Sequence, residues 1–257
     1  MKTVVTTAYR PNDRIELEAL RIADDLMSEK VSRRKRSIDN IHLDEQADVL
    51  VVAKERLEFY PMGKNEPFFF HPNSAAFRTK RPLSQDPLIE VSGLQKGDSF
   101  FDCTLGMASD AIVASFHVGQ EGKVIGSEKH PVVAYVLRNG LQAYSSMPRL
   151  SESMQRITVL AGDAVSLLAS FPDKSFDVIY MDPMFTEEIK ESSNFTSLKT
   201  VADFGQLTDE WVAQAIRTAK RSVVLKAHFR STDFERFGFS RRVRPNTKFH
   251  YGVIDCQ

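Results

Sequence analysis

The sequence predicts an α/β protein built on a doubly wound, mostly parallel sheet, and two observations carry that prediction. From Pro87 onward, short apolar segments of strand character alternate with stretches of helical character. That is the rhythm of parallel strands joined by helical crossovers on both faces of a sheet. The chain then closes on FSRRVR, the turn PNT and KFHYGVIDC, which reads as a hairpin added antiparallel at the sheet edge.

Taken in order, residues 1 to about 80 combine the strand-like pieces KTVVTTA, ADVLVVAK and RLEFY with a helix near 13–29. In that helix Ile15, Ala19, Ile22 and Leu26 recur at helical spacing. Together they predict a small N-terminal α/β subdomain, residues 1–80. The run EPFFFHPNSAAFRTKRPLSQDP, residues 66–87, is rich in proline and basic side chains and reads as a connector, so a larger domain is expected over 81–257. Its strands are SFFDCT, KVIGSE, ITVLAG, FDVIYMD and SVVLKAH, with helices near 107–118, 131–144, 163–170 and 208–220.

The 257 residues are 42% hydrophobic, enough for a substantial core. Basic and acidic residues balance at 34 each, so the net charge announces no nucleic-acid partner. Local clusters are the exception: Arg33, Arg34, Lys35 and Arg36 within SRRKRS, then Arg78, Lys80 and Arg81, then Arg241, Arg242 and Arg244. Each is read either as a solvated surface or as a set of phosphate contacts. Cys103 and Cys256 are the two cysteines, and six histidines show no ligand spacing, so neither a disulfide framework nor a metal site is expected. With no secretion signal and no run of about 18 apolar residues, a cytoplasmic protein away from membranes is expected.

Four successive strands of the larger domain finish in a carboxylate at one edge. The first runs FFDCTLGMASDA, residues 100–111, where Gly106 allows close approach to the backbone and a helix start offers free N–H groups. The second ends at Glu128, about twenty residues past Gly106, the spacing at which an acid can bond ribose hydroxyls. The third ends at Asp163. The fourth, VIYMDPMFTEE, ends at Asp182, where Pro183 resists continuing a sheet. Each has an ordinary explanation: a glycine turn, an N-cap for Asp163, a strand end for Asp182, a core aromatic for Phe185. Four in succession point instead to a ligand edge.

In this order and spacing, DCTLGMASD, Glu128, Asp163 and DPMF resemble a class I, Rossmann-like S-adenosylmethionine-dependent methyltransferase. Within that class they look most like the bacterial family that methylates the exocyclic N2 of a guanine in small-subunit ribosomal RNA. The likeness runs from about Asp86 to VVLKAHF at 223–229, roughly the last two thirds of the chain. It implies a seven-stranded sheet, S-adenosylmethionine as cofactor and an RNA substrate. Carried over, cofactor contacts fall on Ser109, Asp110, Glu128, Lys129, Asp163, Ala164 and Asp182, with Asp102, Thr104 and Gly106 shaping the floor. Asp182, Pro183 and Phe185 are implied as the catalytic group. The family continues DPMF with proline and basic residues, whereas this chain continues Thr186-Glu187-Glu188.

An exocyclic amine is a weak nucleophile because its lone pair is delocalised into the ring. The Asp182 carboxylate and a neighbouring main-chain carbonyl could accept its two protons and aim the nitrogen, while Phe185 stacks on a base drawn out of its stack. Three rivals remain at this point. A methyltransferase for a small molecule or protein suits the neutral charge, and a non-catalytic RNA-binding module suits the basic clusters. A nicotinamide-dependent oxidoreductase shares the glycine turn but leaves DPMF unexplained and would carry the fuller glycine fingerprint.

Overall fold

The computed structural model describes residues 2–183, 206–245 and 247–256. The chain forms two compact units, one of Met1–His71 with His130–Gly140, the other of Pro72–Lys129 with the described chain from Leu141 on. The change of unit at 71/72 lies within the run 66–87 that reads as a connector. Arg78 in that run grips Asp86 at 2.8 Å and also pairs with Asp110, both in the second unit.

In the first unit, runs of β-branched residues make the strands. These are β1 (Thr3–Thr7) and later β3 (Asp48–Val52), whose register sets Val4 against Val49 and Val5 against Leu50. Between them lie α1 (Asp13–Asp25), β2 (Glu29–Lys30) and α2 (Ile38–Glu45), and β4 (Leu57–Tyr60) follows. The sheet order is β2-β1-β3-β4, with β1 parallel to β2 and β3 and with β4 antiparallel to β3. Helix α1 starts where the Asn12 side chain accepts the Ile15 N–H at 3.0 Å. It ends four residues before the expected 29, because Met27 turns left-handed (φ 49°) to enter β2. Residues 130–140 join this unit through side chains: the Tyr135 hydroxyl donates to Asp25 at 2.7 Å, and His130 meets Phe59 at a centroid distance of 5.1 Å.

The second unit opens with α3 (Asn73–Arg78) and α4 (Pro87–Ser92). Asp86 caps α4 by accepting the Leu88 N–H at 3.1 Å while it holds Arg78. Then follow β5 (Ser99–Asp102), α5 (Ser109–Val118), β6 (Lys123–Glu128), α6 (Pro131–Ala143), whose residues through Gly140 belong to the first unit, α7 (Pro148–Gln155), β7 (Ile157–Ala161), α8 (Ala164–Ser170) and β8 (Phe176–Met181). Past a helix at Asp209–Thr218 come β9 (Ala219–His228), β10 (Ser240–Arg242) and β11 (Phe249–Asp255). Helix α7 is among the elements the sequence reading did not foresee, with β2, α2, α3 and α4.

The seven strands lie in the order β10-β11-β9-β8-β5-β6-β7. The five from β9 to β7 are parallel, and β11 pairs antiparallel with both β9 and β10, the expected edge hairpin. The sheet is the mixed, mostly parallel Rossmann-like sheet that the sequence predicts. Phe101, Phe171 and Phe176 interlock beneath it at centroid distances of 5.0 to 5.7 Å. From β5 the chain moves outward through β6 and β7, then returns to lay β8 on the other side of β5. That reversal makes the carboxyl ends of β5 and β8 the switch point, where open α/β sheets bind their ligands.

Among the described residues, no helix is long and apolar enough to cross a membrane, and no group of three or more His, Cys, Asp or Glu side chains could hold a metal ion. Cys103 and Cys256 are free thiols, both buried.

Candidate active site

Register brings the predicted carboxylates to one edge. Asp102, the last residue of β5, stands opposite Gly126 of β6 and Tyr180 of β8. Strand β6 runs two residues further, so that Glu128 stands opposite Ala161, with Asp163 just beyond. Asp182 follows Tyr180 by two residues on the other side of the switch point.

The turn after β5 is held from both flanks. The Thr104 N–H donates to Asp102 Oδ1 at 3.0 Å, and the Thr104 hydroxyl oxygen accepts the Asp182 N–H at 3.0 Å. One threonine therefore fixes the spacing between the ends of β5 and β8. On the other side, Leu105 N–H donates to Ser127 O at 3.1 Å and the Ser127 hydroxyl donates to Cys103 O at 2.8 Å. Gly126 is required here, since a Cβ on it would lie 2.3 Å from the Leu105 side chain. The turn passes through two left-handed residues, Gly106 (φ 51°) and Ala108 (φ 58°). Ala108 is the N-cap of α5 and has no side-chain acceptor, so the first N–H groups of that helix, at Ser109 and Asp110, receive no cap.

Three acids and two cations make the electrostatics. Lys226 Nζ lies 2.6 Å from Asp182 Oδ2 and 3.5 Å from Asp110 Oδ2. Asp110 also takes Arg78 on its Oδ1 and the Tyr180 hydroxyl on Oδ2 at 3.1 Å. Burial alone would raise the Asp110 carboxyl, but Lys226 and Arg78 overcome it and hold the group far below the usual carboxylate range. Burial works against the Lys226 charge, yet Asp110 and Asp182 hold that ammonium above the ordinary lysine range. Burial also raises the Asp182 carboxyl, against the pull of Lys226. Asp102, 1% exposed, is pushed up to about 8, first by burial and then by the nearby Asp110 charge.

The structure treats the predicted residues differently. Asp102, Thr104, Gly106 and Asp182 meet at the switch point. Asp110 sits beside them, but both its carboxylate oxygens are engaged within the protein, so its main-chain N–H is what it can offer. Asp163 accepts the Val165 and Ser166 N–H groups through Oδ1 at 3.1 and 3.2 Å, the ordinary capping role. Its Oδ2 makes no bond among the described residues, and Ala164 beside it is buried. Glu128 is buried at 4% exposure, and Lys129 is exposed. Pro183 is buried, and Phe185 lies outside the described residues.

Asp102 Oδ2 is buried with no hydrogen-bond partner among the described residues. A buried acid oxygen without a partner costs stability unless a ligand completes it. Together with the uncapped helix start, the left-handed turn at Gly106 and the acid ending β6, it is a donor and acceptor set that suits the polar amino-acid and ribose groups of S-adenosylmethionine.

Sequence reasoning missed Arg78, Tyr180 and Lys226. The signal for Lys226 was present: a lysine inside the apolar run Val223-Val224-Leu225-Lys226-Ala227 must find a partner when buried. Arg78 was counted with Lys80 and Arg81 as a possible phosphate contact, but its charge is consumed by Asp86 and Asp110.

The family model described as "Putative SAM-dependent methyltransferase" matches residues 34–235. The protein YpiP of Bacillus subtilis is 40% identical over 254 residues, 98% of each chain. Ribosomal RNA small subunit methyltransferase J of Dechloromonas aromatica is 28% identical over 198 residues, 73% of this chain and 80% of the relative. Among solved structures, a SAM-dependent methyltransferase from Neisseria gonorrhoeae superposes with a TM-score of 0.65 at 16% identity, over 98% of this chain and 95% of that one. The chain belongs to the family of class I S-adenosylmethionine-dependent methyltransferases.

Proposed function

We propose that this methyltransferase acts on an exocyclic amine of an RNA base, namely guanine N2 in small-subunit ribosomal RNA. One observation carries the reading. Lys226 occupies Oδ2 of Asp182, while Oδ1 makes no bond among the described residues and the side chain is 24% exposed. An anchored carboxylate with one free acceptor oxygen suits an amine that must be aimed through its N–H. The matching of the chain to ribosomal RNA methyltransferases named J supports the RNA part of the reading.

S-adenosylmethionine supplies an electrophilic methyl group when bound. In this reading it is held by Asp102, Thr104, Gly106, Glu128, Lys129, Asp163 and Ala164, and by the main chain of Ser109 and Asp110. Asp182 Oδ1 and the Pro183 carbonyl accept hydrogen bonds from the two amine N–H groups and orient the nitrogen lone pair. Lys226 fixes the rotamer of Asp182 and opposes the rise that burial imposes on its carboxyl, and Thr104 fixes its main chain. Phe185 provides a stacking face for the base. The N-terminal unit serves as the substrate-binding part.

The test is transfer of labelled methyl groups to small-subunit RNA, followed by digestion and mass spectrometry of nucleosides. N2-methylguanosine is expected. A label appearing only on small molecules or protein would overturn the RNA reading and leave the methyltransferase assignment intact.

A further inference from the structure

The first unit carries a cleft of its own, of about 760 Å³, lined by Thr7, Tyr9, Arg10, Glu16, Arg33, Arg34 and Lys35 among others. That volume lies within the range of about 300–1,000 Å³ typical of ligand sites. Its place in the fold is the carboxyl edge of the parallel strands β1 and β2, the loops after Thr7 and after Lys30 forming its walls.

Four cations face it against one acid, and that acid, Glu16, is already paired with Lys30. The four do different work. Arg33 lies over the Tyr9 ring at 4.7 Å and donates to Arg36 O at 2.9 Å. Arg10, Arg34 and Lys35 are exposed and form no ion pair among the described residues. Next to them, Arg36 holds the loop closed through Asp44 and Glu45 at 3.0 Å each and through Ser32 O at 2.7 Å. The basic run is thus one staple, one stacked guanidinium and two free charges.

Backbone conformation gives an independent observation. Arg10 (φ 53°), Arg34 (φ 39°) and Lys35 (φ 64°) are all left-handed, a state that side-chain-bearing residues avoid and that clusters at functional sites. In a chain with no net charge, three strained and unpaired cations converge beside an exposed aromatic ring, Tyr9 at 57% exposure.

We propose that this cleft is a binding site for the phosphate groups of a single RNA strand, with Arg10, Arg34 and Lys35 on the phosphates and Tyr9 offering a face to a base. Cations with an interleaved aromatic are the mark of single-strand binding, where phosphates supply affinity and rings accept any base. The proposal rests on the RNA reading given above and assigns the first unit its part in it.

The test compares the wild-type protein with Arg10→Asn/Arg34→Asn/Lys35→Asn, in which asparagine tolerates the left-handed backbone while removing each charge. Binding of a fluorescent single-stranded RNA oligonucleotide is measured by anisotropy across a salt series, with S-adenosylhomocysteine affinity and thermal unfolding as controls. The expected result is at least a tenfold loss of RNA affinity and a salt slope shallower by about 2, three contacts at roughly 0.7 each. Cofactor affinity and thermal stability should hold, and Arg34→Lys/Lys35→Arg should bind RNA as wild type does. Wild-type protein that binds RNA, with a triple variant of equal affinity and slope, would overturn the cleft and leave the RNA reading standing. Wild-type protein that shows no salt-dependent RNA binding would overturn both. Binding of pyrophosphate but not RNA, lost in the triple variant, would assign the cleft to a small phosphorylated ligand and overturn the proposal.

Discussion

Lys226 Nζ bridges Asp182 Oδ2 at 2.6 Å and Asp110 Oδ2 at 3.5 Å, so a lysine on β9 joins the end of β8 to the start of α5. It is a cation shared by a candidate catalytic acid and an acid of the helix that follows the glycine turn. Losing it therefore touches reaction and fold together.

Lys226→Met is expected to lower stability by about 3 kcal/mol, because it strands two half-buried carboxylates, of which Arg78 pairs with Asp110 alone among the described residues. Chemical denaturation measures this. Lys226→Arg should recover most of the stability but less of the turnover, since the fork of the guanidinium cannot sit as an ammonium does. A Met variant as stable as wild type would show that the pair has no net structural value.

Asp182→Asn keeps the shape of the side chain and replaces a charged acceptor by an amide with one acceptor oxygen. Methyl transfer is expected to fall on the order of a hundredfold, with S-adenosylhomocysteine affinity nearly unchanged. Single-turnover assays beside calorimetry separate the two quantities. Full turnover in a folded, saturated variant would remove Asp182 from the chemistry.

Asp102 provides the pH prediction. Its carboxyl is pushed up to about 8 in the folded protein, whereas an unfolded aspartate titrates near 4. The folded state binds the extra proton, so the contribution of this group to stability is present at low pH and is lost as pH rises through 8. Asp102→Asn cannot ionise. It is expected to match wild type near pH 4 and to exceed it by a few kcal/mol, in order of magnitude, at pH 8.5. A stability difference that stays flat across that range would contradict the assignment.

Glu128→Gln retains the buried volume at the end of β6 and removes the charge. Affinity for S-adenosylhomocysteine should weaken by about 1–3 kcal/mol, as expected for a lost charge-assisted bond to a ribose hydroxyl. Unchanged affinity in isothermal calorimetry would place the ribose elsewhere.

Gly126→Ala tests the floor of the turn. The added Cβ meets Leu105 at 2.3 Å, so Leu105 must leave its place and strain the turn that carries Thr104. A destabilisation of about 1–3 kcal/mol, the usual range for overpacking, is expected together with weaker cofactor binding. Unaltered thermal unfolding and cofactor affinity would show that the turn can give way freely.

The sheet was legible because each strand is a short apolar run and because runs of this kind alternate with helical segments, so β5 to β9 needed no long-range information. Helix α7 was hidden, since Pro148 in SSMPRLSESMQR reads as punctuation, yet proline is suited to the first turn of a helix. The carboxylates at strand ends were visible one by one. What binds them was not: Lys226 is 44 residues from Asp182 and 116 from Asp110, and only strand order brings the three together. Likewise Arg36 and Arg34 look equivalent in SRRKRS, and only the fold separates a staple from a free charge.

Residues 130–140 belong with the N-terminal unit although they follow β5, α5 and β6 in the chain. During synthesis, the ribosome must therefore add 69 residues beyond His71 before Gly140 emerges and residues 130–140 can all join that unit. At about 5–20 residues per second, the wait is roughly 3–14 seconds. Throughout it, the surfaces around Phe59 and Asp25 lack His130 and Tyr135. A fragment cut at residue 71 would keep that gap permanently, so the N-terminal unit is not a module that can be transplanted by excising a single stretch of the gene.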